Sequence, residues 1–158
     1  AKTDGKNAVM VSLNCETDFV AKNEGFIAFT TKILDAALAN MPATTEDLLA
    51  IQLDGRSIAD QISEQTGVIG EKLELAYYGK IEAEATIAYI HPGNKLATVI
   101  GFNKDADTQV KKDIAMQAAA ILRNQLFLML MNSAFDSSSL TNTELLTESP
   151  LSIFWLLS

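Results

Sequence analysis

The chain has 158 residues, enough for one domain with a real core and too few for two comfortable ones. Lys and Arg total 12 against 20 Asp and Glu, a net charge of −8, and no basic cluster interleaves with aromatics, which argues against nucleic acid or an anionic membrane surface as the main partner. A hydrophobic content of 48% excludes a disordered chain, and the single cysteine excludes a disulfide framework and any metal site built on several thiolates, so the reducing cytoplasm is the expected compartment.

Asp4-Gly5 is a tight-turn dipeptide directly before the apolar run of residues 8–13, which reads as a strand; a hairpin there shortens its first strand to residues 1–3, so the chain reads as starting inside a hairpin. The stretch from Asn14 to Asn23 then hands over to a helix, and on spacing alone Phe19 and Val20 are core while Asp18 is a cap. Phe26, Phe29, Thr30, Ile33, Leu34, Ala37 and Leu38 recur at helical spacing over residues 24–40, with the two aromatics read as core and Pro42 closing the helix. Thr44 with Asp47 resembles a capping box before a short helix over residues 46–52. Asp54-Gly55 breaks the pattern, and Ser57 with Asp60 starts a third helix that Gly67 is placed to stop.

The period then changes to two. Strands are expected over residues 72–77, 85–90 and 96–102, with Gly79 a bulge or bend between the first two and Pro92-Gly93-Asn94 the hairpin turn between the second and third. With residues 8–13 beside them they give an α+β fold, a small antiparallel sheet with a layer of helices on one face. Asp105 or Asp107 caps a final helix striped by Val110, Ile114, Ala118 and Ile121.

Beyond residue 120 the composition changes: only Arg123, Asp136, Glu144 and Glu148 are charged. The apolar run of residues 126–131 can continue the helix but, being apolar all round, would then need burial on every side, and it is far shorter than the ~20 residues that span a bilayer. Ser137, Ser138 and Ser139 read as loop, and residues 153–157 as a sticky terminus around Trp155. The division is thus residues 1–120 as the core unit and 121–158 as an atypical tail, either an extension packed on the domain or poorly ordered.

No catalytic constellation emerges. His91 is the only histidine, which excludes a multi-histidine metal site, and beside Pro92-Gly93 it reads as a turn residue. Cys15 lacks a partnered base and an oxyanion site in any spacing, so it reads as a small apolar residue. Gly67 and Gly70 do not form a phosphate loop, since no Gly-Lys-Ser/Thr follows. Paired acids such as Glu46-Asp47 and Asp105 with Asp107 sit at helix starts, where the macrodipole accounts for them. Neither a metal nor a cofactor is expected.

Ten residues from Asn14 to Asn23, centred on Thr17-Asp18-Phe19-Val20, resemble the signature segment of bacterial elongation factor Ts. Gly25-Phe26, Val68-Ile69-Gly70-Glu71, Tyr89-Ile90-His91, Asp113-Ile114-Ala115-Met116 and Ala118-Ala119-Ala120 fall in that family's order; Gln117 stands where members commonly place a histidine, and Ala76 and Tyr77 where they place arginines. The resemblance implies a guanine-nucleotide exchange factor for translation elongation, with no catalytic chemistry of its own. Its partner would be GDP-bound elongation factor Tu, with neither nucleic acid nor membrane involved. In that family the segment matching Thr17, Asp18, Phe19 and Val20 enters near the partner's Mg²⁺ and disturbs the metal and phosphate contacts. By position Phe19 is then the wedge, Asp18 the polar disruptor, Thr17 and Val20 their frame, and His91 a further partner contact. The resemblance also implies a fragment: helical modules would lie upstream of residue 1 and downstream of residue 120. Codons compatible with residues 121–132 exist that, read one base earlier, continue more as the family does; the tail is on that reading out of frame, and the gene sequence decides it. The alternative function is a truncated or frameshifted product that is only a weak binding module, or inert.

Overall fold

Residues 8–13 form a nearly unbroken apolar run, the pattern of a strand covered on both faces, and that double cover organises the molecule. The computed structural model describes the backbone of residues 1–133 and 151–157 and the side chains of residues 1–121. The strand, β2 (Asn7–Asn14), pairs antiparallel with β1 (Lys2–Thr3) across the Asp4-Gly5 turn and, on its other edge, with β5 (Glu74–Glu82). A second sheet holds β6 (Ala85–Ile90), β7 (Leu96–Phe102) and β8 (Leu151–Leu157), all antiparallel in the order β6-β7-β8. Helices α1 (Asp18–Ala21), α2 (Glu24–Asn40), α3 (Thr45–Ala50) and α4 (Ile58–Ile69) lie between β2 and β5 in sequence, and α5 (Thr108–Ser133) follows β7. A two-stranded hairpin, β3 (Gln52–Leu53) and β4 (Arg56–Ser57), joins α3 to α4.

Alternate residues of β2 serve two cores. Val9 and Leu13 pack with Phe26, Ile33, Leu34, Leu48, Ile58 and Ile62 from the helices. Ala8 and Met10 face the other way, against Ile81 and Val99, and seal the first sheet onto the second. On the second sheet's far side Ile87, Ile100 and Phe102 pack on Ala115 of α5, where the fully buried Thr98 hydroxyl donates to the Ala115 carbonyl at 3.2 Å. The layers therefore run helices, sheet, sheet, helix.

The α+β class with small antiparallel sheets and packed helices is as the sequence indicates, but the strands divide between two sheets. β5 and β6 do not pair with each other: the corner between them is taken up by the first hairpin, with the Ala83 amide donating to the Lys6 carbonyl and the Thr86 amide to the Gly5 carbonyl. Gly79 lies inside β5 opposite Met10, under the Tyr77 ring, and the register shift falls instead at Ser12/Leu13. Gly67 does not stop α4; the helix runs on to Ile69 and ends at Gly70 in the left-handed conformation (φ 77°). Of the expected α5 stripe, Ile114 and Ala118 are partly buried against the second sheet beside the buried Ala115, whereas Val110 and Ile121 are exposed; Ala119 is buried as well. The backbone of α5 continues unbroken from the expected helix through residues 126–131. The expected loop at Ser137, Ser138 and Ser139 lies outside the described residues.

Candidate functional site at the turn after the second strand

Two consecutive caps build this turn. β2 ends at Asn14, and Thr17, extended at φ −124° and ψ 150°, caps α1 by accepting the Val20 amide on its hydroxyl at 3.4 Å. One turn later Asn23 starts α2, its side-chain oxygen accepting the amides of Gly25 (2.8 Å) and Phe26 (3.2 Å). With one cap on each side, α1 holds only four residues. Adjacent side chains on a helix diverge by about 100°, so the residue that turns inward leaves its neighbour outward. Val20 packs against the helical core, and Phe19 is 89% exposed. The expectation from spacing is half corrected: Val20 is at the core, Phe19 is not, and the cap is Thr17 while Asp18 occupies the first turn.

Charge at the turn is set from the second sheet. Lys95 Nζ lies 2.8 Å from Asp18 Oδ1, with both side chains more than half exposed. The hydrogen bond and charge of Lys95 hold the Asp18 carboxyl below its usual range, with Lys22 adding to the effect; Asp18 in turn raises the Lys95 ammonium. The Cys15 thiol is pushed up, first by burial and then by the Glu71 carboxylate, and its Sγ donates to the Thr17 carbonyl at 3.4 Å. Cys15 is partly buried and packs against the helical core.

His91 stands at the start of the β6-β7 turn. Pro92 and the positive φ of Gly93 (97°) fit a type II turn, closed by the Asn94 amide donating to the His91 carbonyl at 3.1 Å; the imidazole Nδ1 is 3.1 Å from the Tyr89 hydroxyl. The same tip carries Lys95, so the structure brings His91's hairpin to the turn through the Asp18 ion pair. Between them opens a groove of about 360 Å³ lined by Cys15, Asp18, Ile27, Ile90 and Lys95 among others.

Local patterns in the sequence miss two participants, Lys95 and Glu71. The Glu71 carboxylate accepts the amides of Glu16 (3.1 Å) and Thr17 (3.0 Å) on one oxygen and the Thr17 hydroxyl on the other. Gly70 as a helix stop signals that the next residue leaves α4 abruptly; where that residue arrives is a property of the fold. Among the described residues no group of three His, Cys, Asp or Glu is arranged to hold a metal ion, and no helix is long and apolar enough to cross a membrane.

The family model of elongation factor Ts matches residues 16–140. Elongation factor Ts of Porphyromonas gingivalis is 55% identical over 115 residues, which cover 72% of this chain and 42% of that protein. Its counterpart from Azobacteroides pseudotrichonymphae is 51% identical over 115 residues, with the same coverage, and that of Bacteroides thetaiotaomicron 42% identical over 122 residues, 77% of this chain and 37% of the relative. The chain thus spans about two fifths of the length of these relatives.

Proposed function

Because the chain belongs to the elongation factor Ts family, we propose that it acts in translation elongation in the cytoplasm as a guanine-nucleotide exchange factor, docking on GDP-bound elongation factor Tu and speeding GDP release. The observation that carries this reading is the exposure of Phe19, 89%, on a turn whose neighbour Asp18 is ion-paired with Lys95. An aromatic ring brings 150–250 Å² of apolar surface to an interface, and leaving it in water is a standing cost that a partner's pocket removes. In this reading Phe19 wedges into the partner, Asp18 disturbs the polar contacts around the partner's Mg²⁺, Thr17 and Val20 frame them, and His91 adds a contact from the neighbouring hairpin. A cation bridging phosphates is a large part of nucleotide affinity, so disturbing its ligands releases GDP with no bond made or broken by the factor. Reciprocity follows: bound nucleotide weakens the factor's own hold on its partner by the same factor. The unit that acts is residues 1–120; the atypical segment 121–158 takes no part.

Stopped-flow release of a fluorescent GDP from elongation factor Tu tests this. Added in excess, the 158-residue chain accelerates release, and Asp18→Ala with Phe19→Ala abolishes the acceleration. No acceleration at any concentration overturns the function for this chain; acceleration that survives the double substitution overturns the mechanism. A second reading, binding without exchange, is separated from the first by a pull-down on elongation factor Tu.

A further inference from the structure

The one-turn helix α1 is too short to hold itself, since the first hydrogen-bonded turn costs more order than it returns. What holds it from outside is Glu71, 54 and 55 positions away, through three donors on one carboxylate: the amides of Glu16 and Thr17 and the Thr17 hydroxyl. These are the donors just ahead of α1, where the chain leaves β2. The Thr17 hydroxyl hydrogen is committed to Glu71, which leaves an oxygen lone pair for the Val20 amide; the carboxylate therefore orients the cap itself. At its other end Glu71 is fixed by the left-handed Gly70 that closes α4, and α4 is anchored in the core by Ile58 and Ile62. A rigid path thus runs from the helical core, through one carboxylate, to the turn that carries Asp18 and Phe19.

We infer that Glu71 is a positioning residue for the turn of residues 17–20, holding Thr17 so that Asp18 and Phe19 are presented in one pose. The inference rests on the exchange function proposed above for its consequence, though not for its geometry. Glu71 touches no reacting group in this account; it works through Thr17. Glutamine keeps two of the three contacts, because its oxygen still accepts both backbone amides, while its NH₂ can meet the Thr17 oxygen only as a donor and no longer accepts the hydroxyl hydrogen. Alanine replaces none of the three contacts.

Two measurements on the full chain, carrying Glu71→Ala or Glu71→Gln, separate this from its premise. Amide hydrogen exchange by NMR reads the clamp without any partner. In Glu71→Ala the Glu16, Thr17 and Val20 amides exchange about tenfold faster or more, while amides in the middle of α2 and β2 keep their protection; Glu71→Gln stays near the parent. GDP release from elongation factor Tu reads the consequence: Glu71→Ala falls about tenfold in limiting rate and Glu71→Gln recovers most of it. Unchanged exchange at Glu16, Thr17 and Val20 in Glu71→Ala overturns the inference, as does a loosened turn with full release activity, or a Gln variant as defective as Ala. If the parent chain itself releases no GDP while the amides loosen as expected, the clamp stands and the exchange function falls.

Discussion

Phe19 and Phe26 are seven positions apart, share one chemistry, and are given opposite fates by the two caps between β2 and α2, so truncating each to alanine is a direct test of the fold around the site. Phe19 keeps only about a tenth of its surface covered. Full burial of such a side chain is worth about 1.5–3 kcal/mol, so losing that tenth costs about 0.2–0.3 kcal/mol, and the better helix propensity of alanine in α1 returns a similar amount. Phe19→Ala therefore leaves stability within about 0.5 kcal/mol of the parent. Phe26 is 8% exposed in the core with Ile33 and Leu34, and its truncation costs about 3–5 kcal/mol by lost transfer energy and the cavity left behind. In a chain of this size about 1 kcal/mol moves the melting temperature by roughly 2–4 °C, so Phe26→Ala melts about 10 °C lower while Phe19→Ala melts with the parent. Urea denaturation followed by circular dichroism gives both values on one scale. A loss above about 1.5 kcal/mol for Phe19→Ala would mean that the ring is buried in solution, and the outward turn on which the site depends would be wrong.

Two further outcomes test the surroundings. Lys95→Ala lets the Asp18 carboxyl titrate at higher pH, read by carboxyl NMR; because the folded pKa is depressed in the parent, any stability the pair supplies is present above the ordinary carboxylate value and is lost as pH falls through the folded one, so the parent and Lys95→Ala melting curves converge in acid. A carboxyl that titrates unchanged in Lys95→Ala would show that the ion pair does not form. At α3, where the Thr44 hydroxyl accepts the Asp47 amide and the Asp47 carboxylate accepts the Thr44 amide, Thr44→Ala costs about 1 kcal/mol in urea denaturation, and no measurable loss would refute the box.

What could be read from the sequence was local. The bounds of α2, the Thr44 and Ser57 caps, the strands β6 and β7 and the turn between them all follow from signals within a few residues of one another. The misreadings share a cause, which is that a competing local signal was settled by distant packing. Gly67 sits within α4 because one glycine costs a helix only about 1 kcal/mol and a left-handed stop was available at Gly70. The β3-β4 hairpin escaped notice because two-residue strands show no period, although Asp54 and Gly55, both at positive φ (53° and 83°), are the residues such a turn requires. The sorting of strands into two sheets has a trace in the composition of β2, whose buried Ala8, Val9 and Met10 in succession need a cover on each face.

The site divides in the same way. Thr17, Asp18, Phe19 and Val20 are consecutive, and a resemblance between short segments finds them. Glu71 and Lys95 reach the turn from the end of α4 and from the second sheet, and no spacing in the sequence announces either. Their placement explains why Phe19 is outside. A four-residue helix free to roll would bury its ring against the same core that takes Val20, since apolar surface gains about 25 cal/mol per Å² on leaving water. The Thr17 hydroxyl, held by Glu71 on one side and by the Val20 amide on the other, removes that freedom at one end, and the Asn23 cap removes it at the other. Exposure of the ring is then imposed by polar contacts on the backbone beneath it, which is the condition that the role proposed for Phe19 requires.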